Sequence, residues 1–124
     1  QFDFSTAETL LRAAERHGLL VIWDICHYGW PEDVDPLQPS FPDRYARFAR
    51  AFARFMRDHS DAVPYYAPIN EISFLAWCTG DVAIFAPFGK GQGNTAKFNY
   101  IRAAWTSWAL TITPTTSGRS RGSP

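Results

Sequence analysis

The chain has 124 residues, no formal net charge, 46% apolar residues and 16% aromatic residues. The apolar fraction is ample for a globular core, and the even charge balance without a basic block argues against nucleic acid or an anionic membrane as the main partner. No apolar run approaches the roughly 20 residues of a membrane-spanning helix, and no charged-then-apolar leader opens the chain, so a cytoplasmic protein with no membrane partner is expected.

The first segment, "STAETLLRAAERHG", reads as a helix with both ends marked. Ser5 and Glu8 have capping-box spacing, and Gly18 suits the position just past the end. "LLVIWDIC" follows as a short, largely buried strand. The next stretch, "HYGWPEDVDPLQPS", carries three prolines and a glycine and is a loop. "SFPDRYARFARAFARFMRDH" gives the clearest helical period. Phe41, Tyr45, Phe48, Phe52 and Phe55 share one face, and Arg44, Arg47, Arg50, Arg54 and Arg57 form a solvated face. A second strand is expected in "VPYYAPIN", although Pro64 and Pro68 cannot donate to a ladder. "GKGQGN" does not follow a strand and reads as a flexible loop rather than a phosphate cradle. A last helix starts at Asn94, with Phe98, Ile101, Trp105 and Trp108 on one face. Beyond Leu110 the chain turns to Thr, Ser, Gly, Pro and Arg. Composition there predicts a disordered tail, residues 111–124, read as a truncation or an altered reading frame. Residues 1–110 are expected to form one domain.

Helix and strand alternate, and the crossover between the strands is long enough for a parallel pair, which predicts an α/β fold. Both polar clusters, "CHYGWPEDVD" and "NEIS", stand where a strand ends, the face on which parallel α/β folds build active sites. Glu71 ends an apolar run beside Ile69, Ile72 and Phe74. Poor solvation there would raise its pKa and keep it a proton donor near neutral pH. Asn70 offers a donor and an acceptor to a hydroxyl-rich ligand. Trp30 and Trp77 could cover the apolar face of a sugar ring or simply pack in the core.

Other chemistries find no support. There is no nucleophile elbow and no His-Glu-x-x-His. Asp24, His27, Glu71 and Cys78 are mixed in hardness and form no ligand motif, so no metal and no cofactor is expected. Cys26 and Cys78 read as two inert thiols.

"HSDAVPYYAPINE" and "ICHYGWP" resemble, in order and spacing, the fourth- and third-strand segments of family 1 glycoside hydrolases, the β-glucosidase-like enzymes of clan A. The similarity covers roughly residues 5–85. It implies a partial (β/α)8 TIM barrel, about strands 3 and 4 with flanking helices. It also implies Glu71 as the catalytic acid/base, Asn70 as a ligand of the sugar 2-hydroxyl, and His27 as a further sugar contact. A carbohydrate or glycoside is the implied partner. The family usually has proline after this glutamate, where Ile72 stands here. Its nucleophile, a second carboxylate about 5–5.5 Å from the first, comes from a seventh strand with no counterpart in these 124 residues. The resemblance therefore implies part of a retaining β-glycosidase that is catalytically incomplete alone. The alternative is a non-enzymatic remnant or a sugar-binding half-barrel. Glycone preference and oligomeric state stay open.

Overall fold

The computed structural model describes residues 2–111. The tail expected over 111–124 therefore lies, apart from Thr111, outside the described residues. In chain order the elements are helix α1 (Ser5–Arg16), strand β1 (Ile22–Asp24), helix α2 (Phe41–His59), strand β2 (Tyr65–Ala67) and the short helix α3 (Ile72–Ala76). A π-helical turn (Trp77–Asp81) and helix α4 (Gly93–Thr111) complete the order.

This overturns the expected fold class. The described residues are mostly helical, and the sheet is two parallel strands of three residues each, not a partial TIM barrel. The register pairs Ile22 with Tyr65, Trp23 with Tyr66 and Asp24 with Ala67. Two further bonds, Ile25 N–H to Ala67 O at 2.9 Å and Asn70 N–H to Cys26 O at 3.0 Å, carry the two chains on side by side. The apolar runs are longer than the strands they supply. Pro64 and Pro68 bracket β2 and lack the N–H that a longer ladder needs. Leu19, Leu20 and Ile22, expected in a largely buried strand, are exposed.

Each helix has a legible local cause. At the start of α1 the Ser5 N–H donates to Asp3 Oδ1 at 2.9 Å, and Ser5 is already helical. The expected Ser5–Glu8 capping box does not form, because the helix begins one residue too early and Phe4 takes the cap position. The Phe4 ring there packs on Phe52 and Phe55, with centroids 5.5 and 5.3 Å away. The other end follows the sequence. Gly18 has φ +62°, its N–H reaches Glu15 O, and Leu19 N–H reaches Ala14 O, the paired closure of a Schellman motif.

In α2, Phe41, Tyr45, Ala46, Ala49, Phe52 and Met56 are buried. Phe48 and Phe55 are only half-buried, because the small Ala46 and Ala49 face the core in their place. Of the arginines on the outer side, Arg44 bonds Asp33 at 2.5 Å and Arg57 bonds Asp58 at 3.0 Å. The core divides into a larger cluster around Phe41, Tyr45, Leu75, Ala96, Tyr100 and Ala103 and a smaller one around Leu11, Phe52 and Met56. Phe41 and Tyr100 meet edge to face at 5.5 Å, fixing α2 against α4.

The segment 89–94, expected to be a flexible loop, is pinned. Gly89 N–H bonds Thr79 O at 2.8 Å and Gln92 N–H bonds Gly80 O at 2.7 Å. A Cβ on Gly80 would fall 2.8 Å from Gln92 O, so the π-turn and this segment can close only over a glycine. Asp81 Oδ1 accepts the Gly93 N–H at 2.8 Å and holds the first residue of α4. Phe98, Ile101, Trp105 and Trp108 do share a face of α4, and that face is exposed. The buried face carries Ala96, Asn99, Tyr100, Ala103 and Ser107. Among the described residues no helix is long and apolar enough to cross a membrane.

Candidate functional site

The carboxyl ends of β1 and β2 lie side by side and release two loops to the same place. Asp24 ends β1, the first loop delivers His27 and Tyr28, and the second delivers Asn70 and Glu71. Ladder-like contact persists as far as the Asn70 N–H to Cys26 O bond, so the start of each loop is fixed by backbone. Two side-chain bonds then join the loops. Asn70 Nδ2 donates to the Tyr28 hydroxyl at 2.7 Å, and that hydroxyl donates to Glu71 Oε2. One phenol thus orients both the amide and the carboxylate.

The backbone is unusual at both ends of that second bond. Tyr28 has φ +63° and Glu71 φ +42°, both left-handed and neither a glycine. L-residues pay roughly 1–2 kcal/mol for this conformation, and such strain gathers at functional sites. Ile72 is relevant here. A proline at 72 would bias Glu71 toward extended backbone, whereas isoleucine leaves it free to take the left-handed form and open α3.

Around the bonded trio lies a group of aromatic rings. Tyr28 stacks on Phe85 at 5.8 Å, lies 5.7 Å from Phe74 and 4.6 Å from the His27 ring. Phe74 in turn meets Trp77 at 6.1 Å. Phe74 and Trp77 remain about half-exposed, so apolar ring surface borders the carboxylate on the solvent side. His27 Nδ1 lies 2.7 Å from Asp24 Oδ2, a contact that orients the imidazole beside Tyr28.

Electrostatics bear on Tyr28 first. The hydrogen bond to the Glu71 carboxylate pushes its phenol pKa up, because ionising it would set two anions against each other. The phenol therefore stays a proton-bearing donor. Glu71 itself is exposed. Its apolar sequence neighbours do not enclose it, because Ile69 is buried in the core and Glu71 faces outward.

The residues singled out in the sequence thus divide. Glu71, Asn70 and His27 are brought together, and Trp77 joins through Phe74. Trp30 does not: its ring packs on Phe41 and Tyr100 in the core, at 6.3 and 6.1 Å. It borders a separate apolar cleft of about 430 Å³ with Cys26, Val34 and Phe48. Tyr28, Phe74 and Phe85 were missed. Tyr28 stands inside "ICHYGWP", but only its left-handed backbone turns the ring toward Glu71, and spacing gives no sign of that. Among the described residues no three His, Cys, Asp or Glu side chains converge as a metal site would need. Cys26 and Cys78 are buried free thiols.

Comparison with known proteins gives no match to a family model, a curated protein or a solved structure.

Proposed function

We propose that this chain carries the proton-transfer half of a β-glycoside site, with Glu71 as the acid/base and Asn70 as the group that binds a sugar hydroxyl. One observation carries the reading: the hydrogen-bonded series from Asn70 through Tyr28 to Glu71, bordered by the half-exposed rings of Phe74 and Trp77. Directional polar groups beside flat apolar surface match the two-sided chemistry of a pyranose, whose hydroxyls need donors and acceptors and whose C–H faces lie on aromatic rings. Tyr28 occupies one Glu71 oxygen and leaves the other for a glycosidic or hydroxyl oxygen. The resemblance of "HSDAVPYYAPINE" to the strand-end segment of family 1 glycoside hydrolases points the same way and rests on sequence alone.

Among the described residues no second carboxylate joins the bonded series. Double displacement needs a nucleophile about 5–5.5 Å from the acid/base, so the isolated chain should bind glycosides without turning them over. That same observation favours a second reading, a non-enzymatic sugar-binding protein.

Titration with an aryl β-glucoside, followed by tryptophan fluorescence, tests the proposal. Saturable binding that Asn70→Ala and Glu71→Gln each weaken by about tenfold, the loss of one hydrogen bond, supports it. Binding indifferent to both substitutions, or none at all, rejects it. Hydrolysis of a chromogenic aryl β-glycoside that Glu71→Gln abolishes would make the chain a complete enzyme and exclude the binding-only reading.

A further inference from the structure

The Tyr28 hydroxyl makes the two bonds that a ligand hydroxyl would make in the same place. It accepts from Asn70 Nδ2 at 2.7 Å and donates to Glu71 Oε2. A sugar hydroxyl between an amide and a carboxylate bonds in the same pattern: its oxygen takes the amide hydrogen and its proton goes to the carboxylate. The place between Asn70 and Glu71 is therefore filled by a side chain of the protein itself.

The segment that bears this phenol is tied at both ends and loose between them. At one end Cys26 O accepts the Asn70 N–H at 3.0 Å. At the other the Trp30 ring packs on Phe41 and Tyr100. Among the described residues no backbone-to-backbone hydrogen bond involves His27, Tyr28 or Gly29. A Cβ on Gly29 would meet no atom within 4 Å, so nothing crowds the segment there. Tyr28 is held inward by its two side-chain bonds and by ring contacts with Phe85, Phe74 and His27. Its φ of +63° opposes them, since an L-residue relaxes from that conformation when released.

We propose that Tyr28 is an internal plug that sets the entry requirement of the site. In the free protein its hydroxyl fills the hydroxyl-binding position, and a glycoside enters by taking over both bonds as the ring swings out. The proposal rests on the glycoside reading of Asn70 and Glu71 and adds a specificity rule to it. A ligand that brings a suitable hydroxyl exchanges two bonds for two bonds. A ligand without one would leave an amide hydrogen and a carboxylate oxygen unpaired, and a site built this way rejects such analogues. Flat apolar compounds that merely lie on Phe74 and Trp77 leave the plug in place.

The closed form is favoured by two bonds, one of them to a carboxylate, and disfavoured by the left-handed backbone. A balance of about five to one leaves roughly one molecule in six open, which weakens the apparent affinity about sixfold.

Titration of the whole chain and of Tyr28→Phe with phenyl β-glucoside, followed by tryptophan fluorescence, tests this. Phenylalanine keeps the ring and removes the oxygen, so a ligand hydroxyl can enter with the ring still in place. The expected result is binding about sixfold tighter in Tyr28→Phe. The gain should vanish when Asn70→Ala is added, and 2-phenoxytetrahydropyran, which lacks the hydroxyls, should gain nothing. Circular dichroism must show the variants folded, and Tyr28→Leu, which also lacks the oxygen, serves should Tyr28→Phe not be. Binding that Tyr28→Phe weakens or leaves within twofold overturns the plug. If Asn70→Ala and Glu71→Gln still weaken that binding, the glycoside reading stands and Tyr28 is a positioning residue instead. A gain that survives Asn70→Ala, or an equal gain with 2-phenoxytetrahydropyran, overturns the plug as well. No binding by either chain overturns both readings.

Discussion

Thr79 and Tyr100 form a buried polar pair whose coupling can be worked out from geometry. Neither residue is exposed to water. The Thr79 hydroxyl lies 2.7 Å from Leu75 O and 3.0 Å from the Tyr100 hydroxyl. Thr79 has one proton, and the shorter contact to a carbonyl takes it, so Tyr100 donates to Thr79. Tyr100→Phe removes one neutral hydrogen bond and leaves an acceptor lone pair, at a cost of about 1 kcal/mol. Thr79→Val costs more, about 2 kcal/mol, because it strands the Tyr100 O–H with no acceptor in a dry site. The double variant strands no donor and should cost about 1.5 kcal/mol, well short of the sum. Urea denaturation of the four proteins, with equal m values as the condition for comparison, measures a coupling of about 1.5 kcal/mol. Costs that add to within about 0.5 kcal/mol, as independent sites do, would refute the assigned donor direction and the pair's isolation from water.

Two further predictions follow from buried and strained groups. Burial pushes the Cys26 thiol up to about 11 and the Tyr66 phenol up to about 12, and raises Tyr45 and Tyr100 as well. The unfolded chain therefore releases these protons first, so the stability they contribute is complete below about pH 9 and is lost as pH rises toward 12; a urea midpoint unchanged between neutral pH and pH 11 would contradict this. Replacing the left-handed Glu71 by glycine should raise the urea midpoint, by up to about 1 kcal/mol of stability, while abolishing glycoside binding. A drop in stability would show that the Tyr28–Glu71 bond outweighs the strain.

The helices were legible because their causes are local. The period of α2 and the Gly18 stop of α1 depend on residues a few positions apart, and both elements appear where the sequence places them. The fold class was not legible, because strand length depends on what lies beside a strand. "LLVIWDIC" and "VPYYAPIN" have strand composition, yet only three residues of each pair, and the apolar residues ahead of the strands, Leu19, Leu20 and Val63, face solvent. Which face α4 buries was not legible for a related reason. The large row of Phe98, Ile101, Trp105 and Trp108 draws the eye, but the small Ala96 and Ala103 let α4 approach α2 closely, so the small side became the core side. At the site, Asn70 and Glu71 were visible as a costly polar pair at the end of an apolar run. Tyr28 was not, since its role arises from a positive φ that no propensity assigns to tyrosine.

The bond between Tyr28 and Glu71 also has a history in time. Its partners are separated by 43 positions, and those of the Asn70–Tyr28 bond by 42. A ribosome adding about 5–20 residues per second leaves Tyr28 without either partner for roughly two to nine seconds. Through that interval α1 and α2 can form from local contacts, whereas joining the two loops must await the chain beyond Glu71. The strained pair can thus be joined only after α1 and α2 have been made, and α4, which completes the larger core, follows it. Parting the two strand ends would separate Tyr28 from Asn70 and Glu71 while α1 and α2 kept the bonds they make within themselves.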